Sequence, residues 1–397
     1  MKPKCFVSIQ KAIVFMVLLV IFLQVFHIYL MLQEGNPIVG ERNHISGWDQ
    51  IMRKIRDACV TDSSGYYFIL PDILGSRKSQ SSGTHDVAVA THTTSNNLQN
   101  LVQLNERWQG QISISVLTQS HDAEYALYLI WRLHECHEDI QRKVIFHLVF
   151  PVWSHKDIIN TTPHEIHCDK KLSMKAHYEN FEIGELQYPH NILRNLALKM
   201  VTASFVLVMD IDLLPSANLS SSFQADIINS KIASNQTAYV VPVFETGEGD
   251  NIPSTKEDLL TDRNIQPFYI NVCPKCQNQT NYKKWKYLRK SDKLQLAFEL
   301  QWKYPFEPFF IASKSSLPLY QERFKQYGFN RVSQICEMHV AGFNFSVLNN
   351  AFLVHKGYKM KNKFYSQKDV DHHENRQRYE EFKKVLESSY PDSKRKC

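Results

Sequence analysis

The stretch "FVLVMDIDLLPS", residues Phe205–Ser216, decides how the rest of the chain is interpreted. A mostly apolar run leads directly into Asp210 and Asp212, and Pro215 ends the run. Ionised carboxylates are rarely buried without a partner, and alternate residues of a strand point to the same side. Two carboxylates that face the same way repel each other unless a cation lies between them. The stretch therefore predicts a buried strand that ends in a divalent metal site.

Segments around this strand alternate between strand-like and helix-like patterns. The strand-like "DVAVATHTTSNN", "ISISVLTQ" and "KVIFHLVF" are separated by the helical patterns "LQNLVQLNERW" and "HDAEYALYLIWRLHECH". Such units favour an α/β fold with a mostly parallel central sheet. Ligands of these sheets bind beyond the carboxyl ends of the strands, where both Thr91–Thr94 and the two aspartates are expected.

The composition is that of an ordinary globular protein. Of the 397 residues, 43% are hydrophobic and 22% are charged, and the basic residues behind the net charge of +6 are scattered. No nucleic-acid partner is expected from such a distribution. No G-x-G-x-x-G or G-x-x-x-x-G-K-[ST] motif supports dinucleotide or P-loop chemistry, and no G-x-S-x-G motif supports an α/β-hydrolase.

A charge-free apolar run occupies residues 12–32. At about 1.5 Å per residue, a helix of this length crosses a bilayer. A cleaved signal peptide is the alternative, but its apolar core would span about 7–15 residues and precede a small-residue cleavage site, which "QEGNPIVGERN" does not offer. An uncleaved anchor is therefore preferred.

The charges that flank this run predict its orientation. Lys2, Lys4 and Lys11 precede it, and Glu34 is the first charge after it, so the positive-inside rule places the N-terminus in the cytoplasm. The sequence thus predicts a type II membrane protein with a cytoplasmic tail at 1–11, a transmembrane signal anchor at 12–32, a stem and lead-in at 33–85, and a lumenal domain at 86–397.

Two further features suit a lumenal domain. N-glycosylation sequons begin at Asn160, Asn218, Asn235, Asn278 and Asn344. Seven cysteines follow the predicted anchor, namely Cys59, Cys136, Cys168, Cys273, Cys276, Cys336 and Cys397. An oxidising compartment favours disulfides, and the odd number leaves one thiol free or paired with another chain. The "CPKC" spacing also occurs in zinc sites, but one such pair alone is weak support.

Longer motifs carry a resemblance to a known family. They are "THTTSNNL", "YPHNILRNLAL", "VLVMDIDLLPS", "YVVPVFE", "TNYKKW" and "LPLYQERFKQYGFNRVSQICEMHVAGFNFSVLNNAFLVHKGYK". From about residue 85 onward the chain resembles the Golgi glucuronyltransferases of glycosyltransferase family 49. The resemblance implies a GT-A-like fold, an inverting transfer, a Mn²⁺ cofactor and a UDP-sugar donor. It places the D-x-D metal ligands of the family on Asp210 and Asp212 and a third ligand on His355, whose imidazole suits such a metal.

Four further residues are candidates for donor binding and proton transfer. Thr91 is expected to line the uridine pocket or to cap a helix, and Arg194 to pair with phosphate or uracil or to lie on the surface. An inverting transfer needs a base for the acceptor hydroxyl, and the catalytic candidates are Glu307 and Glu337. Glu307 is preferred because its aromatic and proline neighbours in "YPFEPFF" withdraw the carboxylate from water and raise its pKa.

One segment departs from the family pattern. After "VPVFE" the family carries basic residues, whereas this chain has Glu248 and Asp250. The loss of basic side chains at this place would weaken the binding of an anionic sugar donor. Lys356 and Lys359 are the candidates that could bind the donor instead. The tryptophans Trp285 and Trp302 are candidate platforms for sugar rings, or simply core residues.

The resemblance implies a specific reaction in the Golgi membrane. Glucuronic acid would pass from UDP-glucuronate, in β-1,4 linkage, to a xylose-terminated O-mannosyl glycan of the dystroglycan type. The expected partners are the UDP-sugar, the glycan of a glycoprotein and the membrane, together with a possible homodimer or complex with another glycosyltransferase. The alternatives are a transferase with another donor, such as UDP-N-acetylglucosamine, and an inactive membrane-anchored glycan-binding protein. The intact metal-ligand pattern disfavours the inactive protein.

Overall fold

Three strands without a single exposed residue form the centre of the fold, namely β2 (Val87–Thr94), β3 (Ile112–Leu117) and β4 (Val144–Pro151). They pair in parallel and are rich in β-branched residues, as strands covered on both faces are. Along β2, Val87 and Val89 belong to one hydrophobic cluster, while Ala88 and Ala90 belong to another. The sheet therefore separates two cores.

The computed structural model describes Gln24 and residues 47–58, 60–75, 86–169, 186–247, 249, 251–289, 291–361 and 368–397. The chain divides into two units, Met1–Ser46 and Gly47–Cys397, and every strand and helix named below belongs to the second unit. The predicted anchor at 12–32 lies outside the described residues apart from Gln24. Within the described ranges, no helix has the length and apolar character needed to cross a membrane.

The other strands complete two sheets. They are β1 (Tyr67–Leu74), β5 (Phe205–Val208), β6 (Leu213–Pro215), β7 (Thr237–Val241), β8 (Val243–Thr246), β9 (Gln266–Pro267), β10 (Gln295–Leu300), β11 (Phe309–Ser313), β12 (Asn344–Asn349) and β13 (Leu353–Lys356). Within the described segments, the larger sheet has nine strands in the order β1-β4-β3-β2-β5-β11-β7-β12-β10, and the smaller has four in the order β6-β13-β8-β9.

Helices cover both faces of the larger sheet. They are α1 (Gly47–Arg56), α2 (Asn100–Arg107), α3 (Ala123–Cys136), α4 (Glu138–Lys143), α5 (His155–Ile158), α6 (His190–Met200), α7 (Leu219–Phe223), α8 (Lys256–Thr261), α9 (Tyr282–Lys286), α10 (Val332–Val340) and α11 (Lys368–Ser389). The α/β class predicted from the alternating patterns is confirmed.

The prediction of a mostly parallel sheet is wrong, because the larger sheet is mixed. Of its eight neighbouring pairs, β1/β4, β5/β11, β11/β7 and β12/β10 are antiparallel. The alternating patterns cover only the parallel part, β2 to β5. Antiparallel neighbours need no helical crossover, so β11 enters between β5 and β7 without a strand–helix–strand signature.

Part of the segment predicted as a stem and lead-in belongs to the folded unit. Helix α1 buries Trp48, Ile51, Met52 and Ile55, and the Trp48 ring lies 5.7 Å from that of Trp131. Strand β1 then pairs with β4 and forms one edge of the larger sheet. The described part of 33–85 therefore packs into the hydrophobic core that also contains Val87 and Val89 of β2.

Both tryptophans proposed as sugar platforms lie inside the protein. The exposed fractions are 0% for Trp285 and 6% for Trp302. The Trp285 indole N–H donates to the Leu348 carbonyl at 2.8 Å, and the Lys256 ammonium lies 4.1 Å from its ring centre. Buried rings have no face available to a sugar, so the platform interpretation is wrong and the core interpretation is confirmed.

Removal of the Trp285 ring is expected to destabilise the fold without touching the candidate site. We expect Trp285→Ala to lower the free energy of unfolding by about 3–5 kcal/mol, because a large buried side chain leaves a cavity. Urea unfolding with an unchanged slope would measure this loss. Tyr287→Ala, two residues away and 80% exposed, should change the stability little; an equal loss in both variants would contradict the assignment.

Among the described residues, three disulfides join Cys136 to Cys168, Cys273 to Cys276, and Cys336 to Cys397. The "CPKC" pair is therefore a disulfide and not a zinc site, and Cys59 lies outside the described residues. The five sequon asparagines, Asn160, Asn218, Asn235, Asn278 and Asn344, are all exposed. Their exposure suits glycosylation, which stays a prediction.

Candidate functional site

The two aspartates of "VMDID" lie where the chain passes from the larger sheet to the smaller one. Strand β5 ends at Val208 and β6 begins at Leu213, so both carboxylates belong to the connecting turn and not to a strand. The Met209 N–H still donates to the Ala90 carbonyl, at 3.1 Å, which keeps the turn against β2. Strand alternation does not apply in a turn, and the two side chains have different partners.

Asp210 is held by two arginines. Its Oδ1 accepts from Arg194 Nη2 at 3.2 Å, and its Oδ2 accepts from Arg331 Nη2 at 2.9 Å. The His92 Nε2 atom lies 3.6 Å from Oδ1. Burial alone would raise the pKa of Asp210, but Arg331, His92 and Arg194 together hold that pKa well below its usual range. Asp210 is therefore an ionised carboxylate with cations on both oxygens.

Asp212 faces a histidine and a lysine. Strand register places His355 opposite Leu213, next to Asp212, and the His355 Nε2 atom lies 2.8 Å from Asp212 Oδ2. The Lys359 ammonium lies 3.5 Å from the same oxygen. Burial would raise the pKa of Asp212, but the neighbouring His355 and Lys359 side chains lower it well below the usual range for a carboxyl group.

The hydrogen bonds of His355 show that this pair suits a bound cation. Its Nδ1 lies 2.7 Å from the Gly357 carbonyl oxygen, which only accepts, so Nδ1 carries the proton. In a neutral imidazole, Nε2 then presents a lone pair to the Asp212 carboxylate. Two acceptors at hydrogen-bond distance require a proton or a metal ion between them. The donor set of one carboxylate and one imidazole fits Mn²⁺.

A complete metal cage of protein side chains is not formed. Among the described residues, no group of three or more histidine, cysteine, aspartate or glutamate side chains is arranged around one point. Asp210, predicted as a ligand, directs both oxygens to arginines. Asp212 and His355 would therefore supply the protein ligands, and donor oxygens or water the remainder.

A cavity of about 670 Å³ opens beside both aspartates. Most of the predicted site residues line it, and they come from β5–β6, β13, α6 and the segment before β11. These lining residues are Arg194, Asp210, Asp212, Glu307, His355, Lys356 and Lys359. The structure thus brings together groups that are up to 165 residues apart, since Arg194 and Lys359 both line it.

Glu307 lies in the wall of this cavity, two residues before β11. It is partly exposed, with Phe306, Pro308 and Phe309 buried around it. Burial raises the pKa of the Glu307 carboxyl group, although Arg331 and Arg194 oppose the rise. This rise in the pKa of Glu307 has the direction that its aromatic and proline neighbours in the sequence predicted. A carboxylate with a raised pKa beside a cavity suits a general base.

Two other predicted residues do not line the cavity. Glu337 lies on α10 and accepts a hydrogen bond from the Tyr390 hydroxyl at 3.2 Å. Burial also raises the pKa of Glu337, so a raised pKa alone does not distinguish the two glutamates. Thr91 is fully buried in β2, while the three residues that follow it reach the cavity wall. Both roles stay predictions.

Sequence reasoning missed Arg331, which lines the cavity and is the second arginine on Asp210. Its guanidinium carbon lies 3.8 Å from the centre of the Phe309 ring, and its Nη2 bonds to Asp210. It also missed Tyr269, which lines the cavity with a backbone φ of +64° that is unusual for an aromatic residue. The only signal for Arg331 was its place inside the long motif "YGFNRVSQICEMHV".

Two solved structures of other proteins have a limited similarity to this fold. A crystal structure of GalNAc-T7 with UDP, GalNAc and Mn²⁺ covers 79% of this chain and 52% of that chain, with 10% identity and a TM-score of 0.41. One of Staphylococcus aureus TarS with UDP-GlcNAc covers 78% and 68%, with 10% identity and a TM-score of 0.37.

Sequence relatives are closer. A beta-1,4-glucuronyltransferase 1 from Danio rerio is 37% identical over 85% of this chain and 83% of its own length. The Homo sapiens protein of that name is 36% identical over 88% and 86%. A Mus musculus xylosyl- and glucuronyltransferase LARGE2 is 29% identical over 68% of this chain and 34% of its own.

A family model described as "Glycosyl-transferase for dystroglycan", numbered 49 among the glycosyltransferases, matches residues 86–391. This range starts just before β2 and includes the whole cavity wall around the two aspartates. The chain is therefore an enzyme of the glycosyltransferase class, and it belongs to family 49.

Proposed function

We propose that this enzyme transfers glucuronic acid from UDP-glucuronate, in β-1,4 linkage and with inversion, to a xylose-terminated glycan of the dystroglycan type, with Mn²⁺ as cofactor. The names of relatives that match 85% and 88% of the chain support the donor and the linkage. The description of the family supports the acceptor. One observation carries the proposal for this chain: the Asp212–His355 pair and Glu307 line one cavity.

The groups that line this cavity supply two kinds of chemistry. Asp212, His355 and Lys359 form a cluster suited to a diphosphate and its metal ion. A divalent ion there would offset the negative charge that develops on the departing diphosphate. Lys359 supplies a further positive charge for the same oxygens. Glu307 contributes a carboxylate with a raised pKa.

Glu307 acts as the base in this proposal. It accepts the proton of the acceptor hydroxyl while that oxygen forms a bond to the anomeric carbon of the sugar. The bond between that carbon and the diphosphate oxygen breaks, and its electron pair leaves with UDP. Attack opposite the leaving group converts an α-linked donor into a β-linked product. Arg194 and Arg331 act by holding Asp210, which fixes the turn that carries Asp212.

The donor specificity is proposed to depend partly on Lys356, an exposed lysine in the cavity wall. Lys356→Ala is expected to raise KM for UDP-glucuronate by up to about fivefold, because an exposed charge pair contributes at most about 1 kcal/mol. The effect on a neutral UDP-sugar should be smaller. Steady-state kinetics with both donors would measure the difference, and Lys361→Ala, outside the cavity lining, is the matched control.

A panel of UDP-sugars tests the proposal as a whole. We expect the full-length enzyme, assayed with a xylose-terminated acceptor and Mn²⁺, to turn over UDP-glucuronate faster than any other donor. Preference for UDP-N-acetylglucosamine would assign a different donor. Absence of turnover with every donor, in protein that still binds the acceptor glycan, would identify a binding protein and overturn the proposal.

We also propose that the enzyme is a single-pass type II protein of the Golgi membrane. The charge-free run at 12–32 and the lysines before it support this topology. The three disulfides and the exposed sequons suit a lumenal domain. In sealed Golgi vesicles, added protease should leave the C-terminal domain intact, and its digestion would contradict the topology.

A further inference from the structure

The Cys273–Cys276 disulfide lies in the wall of the candidate active site. Both cysteines and the following Gln277 line the same cavity as Glu307. The disulfide closes a short turn, Pro274–Cys276, between two Cα atoms 5.4 Å apart. The proposed transfer uses neither sulfur, so this disulfide has no assigned role in the reaction.

The turn holds both backbone polar groups of Glu307. The Glu307 N–H donates to the Cys276 carbonyl at 2.9 Å, and the Gln277 side-chain amide donates to the Glu307 carbonyl at 2.8 Å. Gln277 is 4% exposed, so its amide is fixed inside the protein. Glu307 lies outside the regular strands, since β11 begins only at Phe309. Its main-chain position therefore depends on these two hydrogen bonds.

At the start of the turn, Cys273 is hydrogen-bonded to Tyr269, another residue that lines the cavity. The Cys273 N–H donates to the carbonyl of Tyr269, the residue with the positive φ, at 2.8 Å. Within the turn, the Cys276 N–H donates to the Cys273 carbonyl at 3.0 Å. A single short turn of this kind has little conformational stability of its own, because few hydrogen bonds hold it. The disulfide limits the conformations that the turn can adopt.

We propose that the Cys273–Cys276 disulfide is a positioning element for Glu307, which keeps the base at the distance that proton transfer requires. The inference rests on the proposed function, in which Glu307 accepts the proton of the acceptor hydroxyl. A displacement of about 1 Å in a reacting group lowers rates by up to about 10²-fold. The disulfide therefore acts through kcat and not through donor binding.

The first test measures the position of Glu307 without measuring activity. In the double variant Cys273→Ser/Cys276→Ser, hydrogen exchange of the Glu307 amide should accelerate by on the order of tenfold, because its acceptor Cys276 becomes mobile. Lys275→Ala, in the same turn but outside the cavity lining, keeps the disulfide and should leave exchange unchanged. Unchanged exchange in the double variant would overturn the proposal.

Gln277→Leu gives a second variant in which the disulfide stays closed. It removes the donor to the Glu307 carbonyl and should also accelerate exchange in the segment around Glu307. If the double cysteine variant does not fold, disulfide-selective reduction of the folded enzyme followed by alkylation gives the same comparison. Equal exchange before and after opening of the disulfide would refute the positioning role.

The second test is a double-mutant cycle on kcat. Loss of the disulfide should lower kcat by about 10- to 100-fold with donor KM within about twofold, and it should cost little more in a Glu307→Gln background. Additive losses would show that the disulfide does not act through Glu307. A normal kcat in Glu307→Gln alone would refute the proposed base instead, and the exchange result would still stand.

Discussion

Glu307→Gln should lower kcat by about 10²–10⁴-fold, while the KM for the donor stays nearly constant. The amide has almost the same shape as the carboxylic acid, so the packing against Phe306 and Phe309 is retained. It has no basic oxygen to accept the proton of the acceptor hydroxyl, and the reaction loses its base. Steady-state kinetics with both substrates varied would separate the two constants.

The pH dependence of kcat/KM, which reports the ionisation of the free enzyme, tests the role of Glu307 a second time. A general base must be ionised, and burial raises the pKa of the Glu307 carboxyl group above its ordinary value. Activity should therefore fall, as the pH is lowered, at a midpoint above the usual range for glutamate. The Glu307→Gln variant should lack this acidic limb. An acidic limb that persists in the variant would assign it to another group.

Glu337→Gln is the matched control for this substitution. Glu337 also has a raised pKa, but it contacts Tyr390 and does not line the cavity. We expect its replacement to change stability modestly and kcat by much less than Glu307→Gln does. Near-normal kcat in Glu307→Gln beside a collapse in Glu337→Gln would reverse the assignment of the base.

Asp212→Asn is expected to reduce turnover by on the order of 10³-fold or more, because charge stabilisation of the leaving group is lost. The substitution removes the negative charge that faces His355 and Lys359, so the pair would no longer hold a divalent ion. The variant should still fold, since Asp212 lies in a turn at the cavity wall and is partly exposed. Removal of divalent ions with EDTA should have an effect of similar size.

A binding measurement distinguishes the loss of metal binding in Asp212→Asn from other causes of its lower turnover. With UDP present, Mn²⁺ should raise the melting temperature of the wild-type enzyme but not that of Asp212→Asn. Asp292→Asn, at an exposed position outside the cavity, should respond like the wild type. Full turnover in the presence of EDTA would show that the transfer needs no metal ion.

The sequence predicted best those features that depend on neighbouring residues. The run Phe205–Val208 is a buried strand, and the raised pKa of Glu307 follows from the rings beside it. The prediction of a mostly parallel sheet failed because the pairing of its strands depends on segments that are distant in the sequence. The pairing of β11 with β5 and β7 joins strands far apart in the chain, and no local pattern encodes it.

The two aspartates illustrate the same limit at the site. Alternation within a strand predicted that Asp210 and Asp212 share one cation, but the strand ends before both of them. Their separate partners come from α6, from the residue before α10, and from β13 and the segment that follows it. The different partners of the two carboxylates are thus set by tertiary contacts that one sequence does not reveal, while metal binding by either carboxylate stays a prediction.

The two arginines on Asp210 also have a consequence for biosynthesis. Arg331 follows Asp210 by 121 residues, whereas Arg194 precedes it by 16. At roughly 5–20 residues per second, a ribosome needs on the order of 6–24 s to add that interval. During this time Arg331 is absent, and the turn that carries Asp212 lacks one of the arginines that hold Asp210. A nascent chain released before Arg331 is made would therefore contain Asp212 without an assembled cavity wall around it.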